Sequence, residues 1–406
     1  MFSIETQVPV AGIADNGVSD KSVAPSLPVN GHVSLTTTLQ GLMALEPHWL
    51  KLEKQCATAP SIFQSYAWVS NWAKTYITEN SSHELCIITG FQNERLVFVL
   101  PLMKQKLGPI TILRWLTEPY GQYGDALIAA SQNSRAWFSS ALVFIQNLKN
   151  VDVIRLRHVR ADAAIADTCR KSFIDARLDE KAPYLDLTQY DSDESYEARY
   201  SSTQRKRRKK IRKELEQLGP IEFEVISNGV LGDAAINQSL IEKNLWLEER
   251  GRQNRIMKCP SHAGFLKDIS RSRTSNVDVV ISQLSAGGKP VSWEIGFNFQ
   301  GCHFAYITSH VNAMTDLSPG RLHMDQSQRN CIKHGLQKFD LMVPHDHHKE
   351  SWSSGLVETS DYYLPLSLRG RLYGKLYLRT LRPVLRQIYY KSPPWLLKLA
   401  KPVLGF

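Results

Sequence analysis

A short segment at residues 316–321, with the sequence DLSPGR, has the residue types that a phosphate site at the start of a helix needs. Ser318 suits the N-cap, because its hydroxyl can accept a hydrogen bond from a free backbone N–H. Pro319 suits the first helical position, where no N–H is required. Gly320 leaves room for a ligand to approach the backbone, and Arg321 adds a positive charge. The segment predicts a phosphate or pyrophosphate cradle, although a well-capped helix without a ligand accounts for the same residues.

Three groups that can exchange a proton follow a predicted strand at residues 339–343. They are His345, Asp346 and His348, and Lys349 comes directly after them. A loop at the end of a strand is a common position for catalytic side chains, and imidazole titrates near neutral pH. The segment therefore predicts a general base. A metal site is disfavoured, because no helical H-x-x-x-H pair or cysteine pair supports one and Lys349 would repel a cation.

Residues 199–213 hold nine Lys or Arg and no acidic residue, and the run continues into a sequence with high helix propensity that stops at Gly219-Pro220. The cations can form a solvated helix face, or they can bind phosphates of a substrate or a membrane. A nucleic-acid site is the third possibility, but few aromatic residues are interleaved for base stacking. Arg205, Arg208 and Arg212 are the residues of this run that we expect to contact substrate.

A second basic segment lies at residues 366–406, where nine cations alternate with leucine, tyrosine, proline and Trp395, again without an acidic residue. Such a segment can lie on an anionic membrane leaflet through its apolar and aromatic side chains. A terminal helix that packs on the protein body and exposes its cations explains the pattern equally well.

The rest of the chain is mildly acidic, because the net charge of +10 over 406 residues is concentrated in these two segments. Hydrophobic residues make up 43% and charged residues 22%, which excludes a collagen-like, wholly disordered or all-membrane protein. The six cysteines are scattered and no secretory signal or apolar run of spanning length is found, so we expect a cytoplasmic protein. Residues 1–37 are predicted to be a disordered tail.

The elements that must position these residues follow one order twice. Each half of the chain reads as helix, hairpin, strand, helix and strand, with hairpins predicted at 85–104 and 276–299. The pattern predicts two α/β halves at 38–190 and 191–365, followed by the basic segment at 366–406. Signatures of serine hydrolases, P-loop enzymes and dinucleotide-dependent dehydrogenases are missing from the sequence.

The order of four short motifs resembles the BioF2-like (CelD/BcsL) acetyltransferases of the GNAT superfamily, which are similar to FemAB aminoacyl transferases. The motifs are FQSYAW at 63–68, the basic helix at 204–213, the hairpin GGKPV at 287–291, and SPG at 318–320 with Phe339-Asp340. In the loop after Asp340, Pro344 stands where the family has Gly and His348 stands where it has Tyr. Lys349 and Trp352 match the family pattern.

The resemblance implies two tandem GNAT-like halves, each with a mixed, mostly antiparallel sheet flanked by helices, and acyl transfer from acetyl-CoA or another acyl-CoA as co-substrate. The backbone at 318–321 would bind the pyrophosphate, and a backbone N–H of the strand 302–310 would polarise the thioester carbonyl. His348 is the first candidate for the base, with His345 and Asp346 as alternatives. Tyr306 could protonate the leaving thiolate, and Lys349 joins the substrate contacts.

Three functions fit this sequence. The first is an N- or O-acyltransferase that acts on a sugar or an envelope polysaccharide precursor at the cytoplasmic membrane face. The second is a non-catalytic GNAT-like module that binds a phosphorylated ligand, which the altered loop favours. The third is a FemAB-like transfer from aminoacyl-tRNA. The basic helix fits this function as well as the other two and so does not distinguish among them. Other nucleic-acid partners are disfavoured. We expect no permanently bound cofactor and no metal.

Overall fold

The computed structural model describes residues 26–56, 61–77, 82–252, 254–272 and 276–392. The chain divides into two compact units. The first unit comprises Met1–Asp179 and Glu358–Val384, and the second comprises Glu180–Val357 and Leu385–Phe406. The sequence pattern predicted a division at residue 190 and placed residues 358–365 in the second half. The difference arises because a strand near the end of the chain returns to the first unit, which no local periodicity reveals.

The first unit begins with five helices and seven strands. They are β1 (Gly31–Thr36), α1 (Leu39–Ala44), α2 (Glu46–Glu53), α3 (Tyr66–Tyr76), β2 (His83–Gln92), β3 (Arg95–Leu107), β4 (Ile110–Trp115), β5 (Leu127–Ile128), α4 (Ser134–Gln146), β6 (Val153–Arg160), α5 (Ala166–Ser172) and β7 (Ile174–Asp175).

The second unit follows with six strands and seven helices. They are β8 (Glu180–Asp186), α6 (Asp193–Ala198), α7 (Ser202–Glu216), β9 (Ile221–Ile226), α8 (Val230–Glu249), α9 (Arg255–Lys258), α10 (Pro260–Ser270), β10 (Asp278–Ala286), β11 (Lys289–Phe299), β12 (Cys302–His310), α11 (Pro319–Lys333), β13 (Lys338–Asp340) and α12 (His347–Glu350). The chain then forms β14 (Gly355–Pro365), α13 (Leu368–Leu372), a π-helical segment (Tyr373–Leu381) and α14 (Arg382–Lys391).

The sheet of the first unit has the strand order β1-β2-β3-β4-β6-β14. Its pairs are antiparallel except for β4 and β6, which run parallel. The predicted hairpin at 85–104 is confirmed as β2 and β3. The strand β1 pairs with β2 from Gly31 to Thr36, so ordered structure begins within the segment that was expected to be disordered up to residue 37. The rest of that expectation concerns residues 1–25, which lie outside the described residues.

The sheet of the second unit has the order β9-β10-β11-β12-β13-β8. Only the pair of β12 and β13 is parallel among the pairings within this sheet. The predicted hairpin at 276–299 is confirmed as β10 and β11, which turn at Gly287 and Gly288 with positive φ angles. Each unit therefore has a mixed, mostly antiparallel sheet with helices packed on it, which confirms the predicted α/β fold class.

Buried polar contacts fix α11 to the sheet of the second unit. Glu294 on β11 accepts hydrogen bonds from His303 at 3.0 Å and from Ser327 of α11 at 2.6 Å. One turn earlier in α11, His323 lies 2.8 Å from the Ser282 hydroxyl. Burial lowers the pKa of His303, but Cys331 and Glu294 raise it, and the net direction is upward. The helix that carries residues 319–321 is thus held by a buried charged pair and hydroxyl contacts.

Candidate functional site

The parallel strands β12 and β13 separate after three residue pairs. Their register ends where Phe304 meets Asp340, whereas β12 continues to His310. Beyond Asp340 the chain follows β8, because the Leu341 N–H donates to the Pro183 carbonyl at 2.9 Å. In the part of the chain that the structure describes, no strand pairs with this edge of residues 305–310. We call the opening between residues 305–310 and the chain after Asp340 the wedge.

A β-bulge lies in β12 beside the wedge. Ile295 pairs with Ile307 and Gly296 pairs with Ala305, so Tyr306 is the extra residue of the bulge. Bulges re-aim backbone groups and occur often next to active sites. The Tyr306 side chain itself is buried and packs near Phe297 and His262, with ring centroids 5.6 and 6.2 Å away. Tyr306 therefore contributes to the packing of the sheet, and its role as a proton donor stays a prediction.

Lys349 orders the loop that follows the wedge. Its Nζ donates to the carbonyls of Met342 at 2.8 Å and Pro344 at 2.9 Å. Burial lowers the pKa of Lys349 to about 8, although Asp346 and Asp340 act in the opposite direction. The ammonium therefore holds a turn of the chain together and sits in an environment that disfavours its charge.

A second amine approaches the wedge from α8. The Lys243 Nζ donates to the Thr308 carbonyl of β12 at 3.0 Å. Burial and the neighbouring Lys349 lower its pKa to about 8. Sequence reasoning missed Lys243, because it lies in an ordinary amphipathic helix far from any motif. Only the fold brings this residue beside β12.

The predicted helix start at Pro319 is confirmed, but Ser318 does not cap it as expected. Ser318 adopts a left-handed conformation with φ 54° and ψ 44°, and its hydroxyl accepts no capping hydrogen bond from any described residue. The hydroxyl is turned away because this backbone conformation does not direct it at the first turn. The backbone N–H groups at the start of α11 are therefore left without a side-chain acceptor of their own.

His310 and Gly320 meet at this helix start. A Cβ atom built on Gly320 would lie 3.7 Å from the His310 Nδ1, with open space otherwise. The His310 Nε2 lies 3.2 Å from the Thr315 hydroxyl. Burial and the cations of Lys243 and Arg250 lower the pKa of His310, so its imidazole is neutral at neutral pH. His310 is a second residue that the motif search did not select, although it ends a predicted strand.

The basic helix α7 adds positive charge beside the start of α11. Ile211 and Leu215 pack in one buried cluster with Leu322 of α11. Burial and the neighbouring Arg207 lower the pKa of the Arg321 guanidinium, which stays charged at any physiological pH. Two guanidinium groups and a helix N-terminus therefore face the same region, an arrangement that attracts phosphate groups.

The structure gives the three arginines predicted for substrate different positions. Arg208 forms an ion pair with Asp325 of α11 and lies over the Tyr200 ring, 3.8 Å from its centroid. Arg205 donates to the Tyr200 carbonyl at 2.7 Å, and Arg212 lies 3.8 Å from Glu216 on the helix surface. Arg208 thus fastens α7 to α11, and its contact with substrate stays a prediction, as it does for Arg205 and Arg212.

The candidate bases lie together on the rim of the loop at 345–350. Asp346 caps the short helix α12 by accepting from the Lys349 N–H at 3.0 Å. His345 lies 3.8 Å from Glu350, and His348 is exposed with its ring near that of His347. The structure brings these groups next to Lys349, but Asp346 and His348 are exposed and His345 is only partly buried. Among the described residues, no group of three His, Cys, Asp or Glu side chains is arranged to hold a metal ion.

The first unit has an equivalent pair of parallel strands, and its opening is filled. After β4 and β6 separate, Glu118 accepts from Arg155 at 2.6 Å and from Arg157 at 3.2 Å, and Arg114 lies within 3.7 Å. The N-terminus of α4 is capped by Asn133, which accepts from the Ala136 N–H at 3.1 Å. In the first unit a side-chain ion-pair cluster thus follows the parallel strands and a side chain caps the helix, so we place the candidate site in the second unit.

Residues 202–350 match the family profile described as an acetyltransferase (GNAT) domain. This range contains β12, α11, β13 and the loop that surrounds the wedge. No curated protein is significantly similar to the chain in sequence.

Solved structures are similar in fold at low sequence identity. The crystal structure of FemX aligns with a TM-score of 0.55 and 11% identity, over 81% of this chain and 98% of that chain. A tandem GNAT protein from the clavulanic acid biosynthesis pathway aligns with a TM-score of 0.45 and 10% identity, over 83% and 99% of the two chains. L-PGS from Bacillus licheniformis gives 0.45 and 12%, over 84% and 97%.

The similarity to FemX shows that the chain shares the FemX fold, and the profile match identifies the kind of domain that contains the wedge. None of the helices in the described ranges is long and apolar enough to cross a membrane. The start of α11 and the wedge lie inside the range of the second unit that matches the acetyltransferase (GNAT) domain profile.

Proposed function

We propose that this protein is an acyl-CoA-dependent N- or O-acyltransferase that uses acetyl-CoA and acts on a sugar or an envelope polysaccharide precursor. The observations that carry the proposal are the start of α11, which lacks a side-chain cap and lies beside Arg321 and Arg207, and the edge of β12 at residues 305–310, with which no described strand pairs. The helix start and the two arginines suit a pyrophosphate, and the strand edge suits an extended chain that carries amides.

Acyl-CoA, the acyl donor, fits this arrangement in one orientation, with its pyrophosphate at the start of α11 and its thioester at the bulge. Its pyrophosphate would lie at the start of α11 beside the Gly320 N–H, with the Arg321 and Arg207 guanidinium groups neutralising charge. The two amides of its pantetheine arm would pair with the edge of β12 at residues 305–310 as an added strand does. The thioester would then reach the bulge at Tyr306, where a backbone N–H can polarise the carbonyl.

Transfer then needs an acceptor nucleophile and one proton path. The acceptor amine or hydroxyl attacks the thioester carbon, the C–S bond breaks as the new C–N or C–O bond forms, and the thiolate leaves. The acceptor's proton passes to a base, for which we retain His348 with Asp346 and His345 as alternatives, because this exposed rim faces the solvent from which an acceptor arrives. Lys349 holds the loop that carries these groups.

The narrower assignment to the BioF2-like (CelD/BcsL) group, and the sugar acceptor with it, is supported by the motif order at 63–68, 204–213, 287–291 and 318–340. A non-catalytic GNAT-like module is the second candidate. The observation that favours it is the exposure of Asp346 and His348, two of the three predicted bases, with Pro344 and His348 in place of the family residues.

Calorimetric titration with acetyl-CoA tests the donor site through Gly320. We expect Gly320→Asp to weaken binding by at least about tenfold, since the new carboxylate would face the pyrophosphate, and tenfold corresponds to about 1.4 kcal/mol. Gly320→Ala is the matched control, because its Cβ would have only an ordinary contact with His310. Equal affinity of the aspartate variant and the wild type would exclude the pyrophosphate assignment. Absence of binding to both acetyl-CoA and CoA would favour the non-catalytic module or transfer from aminoacyl-tRNA.

A further inference from the structure

The helical stretch at residues 368–384, which ends the first unit, has one face packed on the rest of that unit. A Cβ on Gly370 would lie 1.8 Å from the Asp152 carbonyl oxygen, and one on Gly374 would lie 2.2 Å from the Tyr363 ring. Leu378 is fully buried in the cluster that contains Tyr363. Arg382 donates to the Asp361 carboxylate at 2.9 Å. These residues recur every four positions, so a single face of the stretch is buried by packing and by an ion pair.

The opposite face is apolar and exposed. Leu368 is 76% exposed, Leu372 62%, Leu376 61% and Leu381 49%. Consecutive members are four residues apart from Leu368 to Leu376, and Leu381 follows Leu376 after five residues. The larger step falls in the π-helical segment Tyr373–Leu381, whose wider turn keeps the side chains in one row. We call this set the apolar row. Its size is unusual for a surface, because exposed leucines normally occur singly.

A row of cations runs beside the apolar row. Arg371, Lys375 and Arg379 are four residues apart and all are exposed. We call them the cationic row. The sequence has no acidic residue from 366 to its end. A helix with leucines on its outer face and arginine and lysine beside them has the composition of helices that lie in the membrane interface. A protein groove lined with apolar side chains would bind the apolar row but would not explain the uniform positive charge.

We infer that the apolar row and the cationic row dock this protein on an anionic lipid bilayer. The leucines enter the boundary between headgroups and acyl chains, and the cationic row contacts the lipid phosphates. The face with Gly370, Gly374 and Leu378 stays on the first unit, so docking requires no unfolding. Binding then falls with salt, because the attraction between the cations and the lipid surface is screened. This inference does not depend on the proposed acyltransferase activity.

Co-sedimentation of the full chain with vesicles tests the inference. The vesicles contain phosphatidylglycerol and phosphatidylcholine, or phosphatidylcholine alone. We expect the wild type to bind the anionic vesicles at least about tenfold more strongly than the neutral ones at low salt. Leu372→Asn/Leu376→Asn, and separately Arg371→Gln/Lys375→Gln/Arg379→Gln, should each reduce binding to the anionic vesicles by at least about tenfold. All five side chains are exposed, so both variants should unfold at the wild-type temperature.

A matched control removes the same charge elsewhere. Lys206→Gln/Lys209→Gln/Lys210→Gln changes three exposed cations of α7 and should retain binding to anionic vesicles within about twofold. Wild-type binding by both row variants would overturn the inference, as would loss of binding in the α7 control alone. A concentration-dependent dimer in sedimentation velocity that Leu372→Asn/Leu376→Asn abolishes, without vesicle binding by the wild type, would instead assign the apolar row to a second copy of the chain.

Discussion

At the scale of single residues, burial disfavours the protonated form of two amines beside the wedge, those of Lys349 and Lys243. Lys349 donates to two carbonyls and Lys243 donates to one, so neither is free to move into solvent. Burial lowers the pKa of each to about 8, from an ordinary value near 10.5. Between these two pH values the unfolded chain binds more protons than the folded chain at both positions. The unfolding free energy contributed by these lysines therefore rises with pH across this window.

The direction in which the unfolding free energy changes with pH can be measured against a variant that lacks both amines. Relative to Lys243→Met/Lys349→Met, the wild type should gain stability between pH 7 and pH 9.5. The expected gain is about 1 kcal/mol or more, after allowance for the partial exposure of both side chains. Denaturant unfolding at the two pH values measures the difference, and other titrating groups cancel because both proteins contain them. A difference that is constant with pH, or that shrinks, would contradict the environment assigned to the lysines.

The motif at 318–321 shows how far residue types alone can predict a site. Pro319 and Gly320 begin a helix where the sequence placed one. The conformation of Ser318 could not be predicted, because serine is a good N-cap and its left-handed φ depends on the preceding 3₁₀ segment Asn312–Leu317. Arg208 could not be distinguished from its neighbours in the basic run, because its partner Asp325 lies on another helix. Lys243 gave no signal, since only tertiary structure brings α8 against β12.

At the scale of elements, the position of α11 decides where the donor can bind. The helix is held on the sheet by Ser327, which donates to Glu294, and by His323 beside Ser282, while His303 fixes Glu294 within the sheet. Gly296 on β11 makes room for the His303 ring, because a Cβ there would lie 2.4 Å from His303 Cε1. The hairpins were predictable from alternation and turn residues. The buried network was not, since polar residues within an apolar pattern do not reveal their partners.

Gly296→Ala should therefore destabilise the second unit. The added methyl group must displace His303, and overpacking of this kind costs about 1–3 kcal/mol. Gly264→Ala in α10 is the control, because its Cβ would meet no atom within 4 Å and alanine favours a helix. Thermal unfolding of the two variants measures the difference. Equal or greater stability of Gly296→Ala would show that His303 is not held where the structure places it.

At the scale of the whole molecule, the two units share an order of elements but differ at their parallel strands. In the first unit, Glu118 and its arginines occupy the opening after β4 and β6, and Asn133 caps the following helix. In the second unit both places are open. The sequence predicted two similar halves and favoured the second for the donor. The return of β14 and the exact boundary of the units could not be predicted, because they depend on pairings between distant segments.

The most direct test of this account is backbone hydrogen exchange measured by mass spectrometry, with and without saturating acetyl-CoA. We predict slower exchange in peptides that cover β12 and the first turn of α11, because the donor would pair with the edge of residues 305–310 and lie on the helix start at Gly320. Peptides that cover β4, β6 and the start of α4 should be unchanged. Protection confined to those peptides of the first unit, or no change in residues 302–321 when the ligand is bound, would contradict the account.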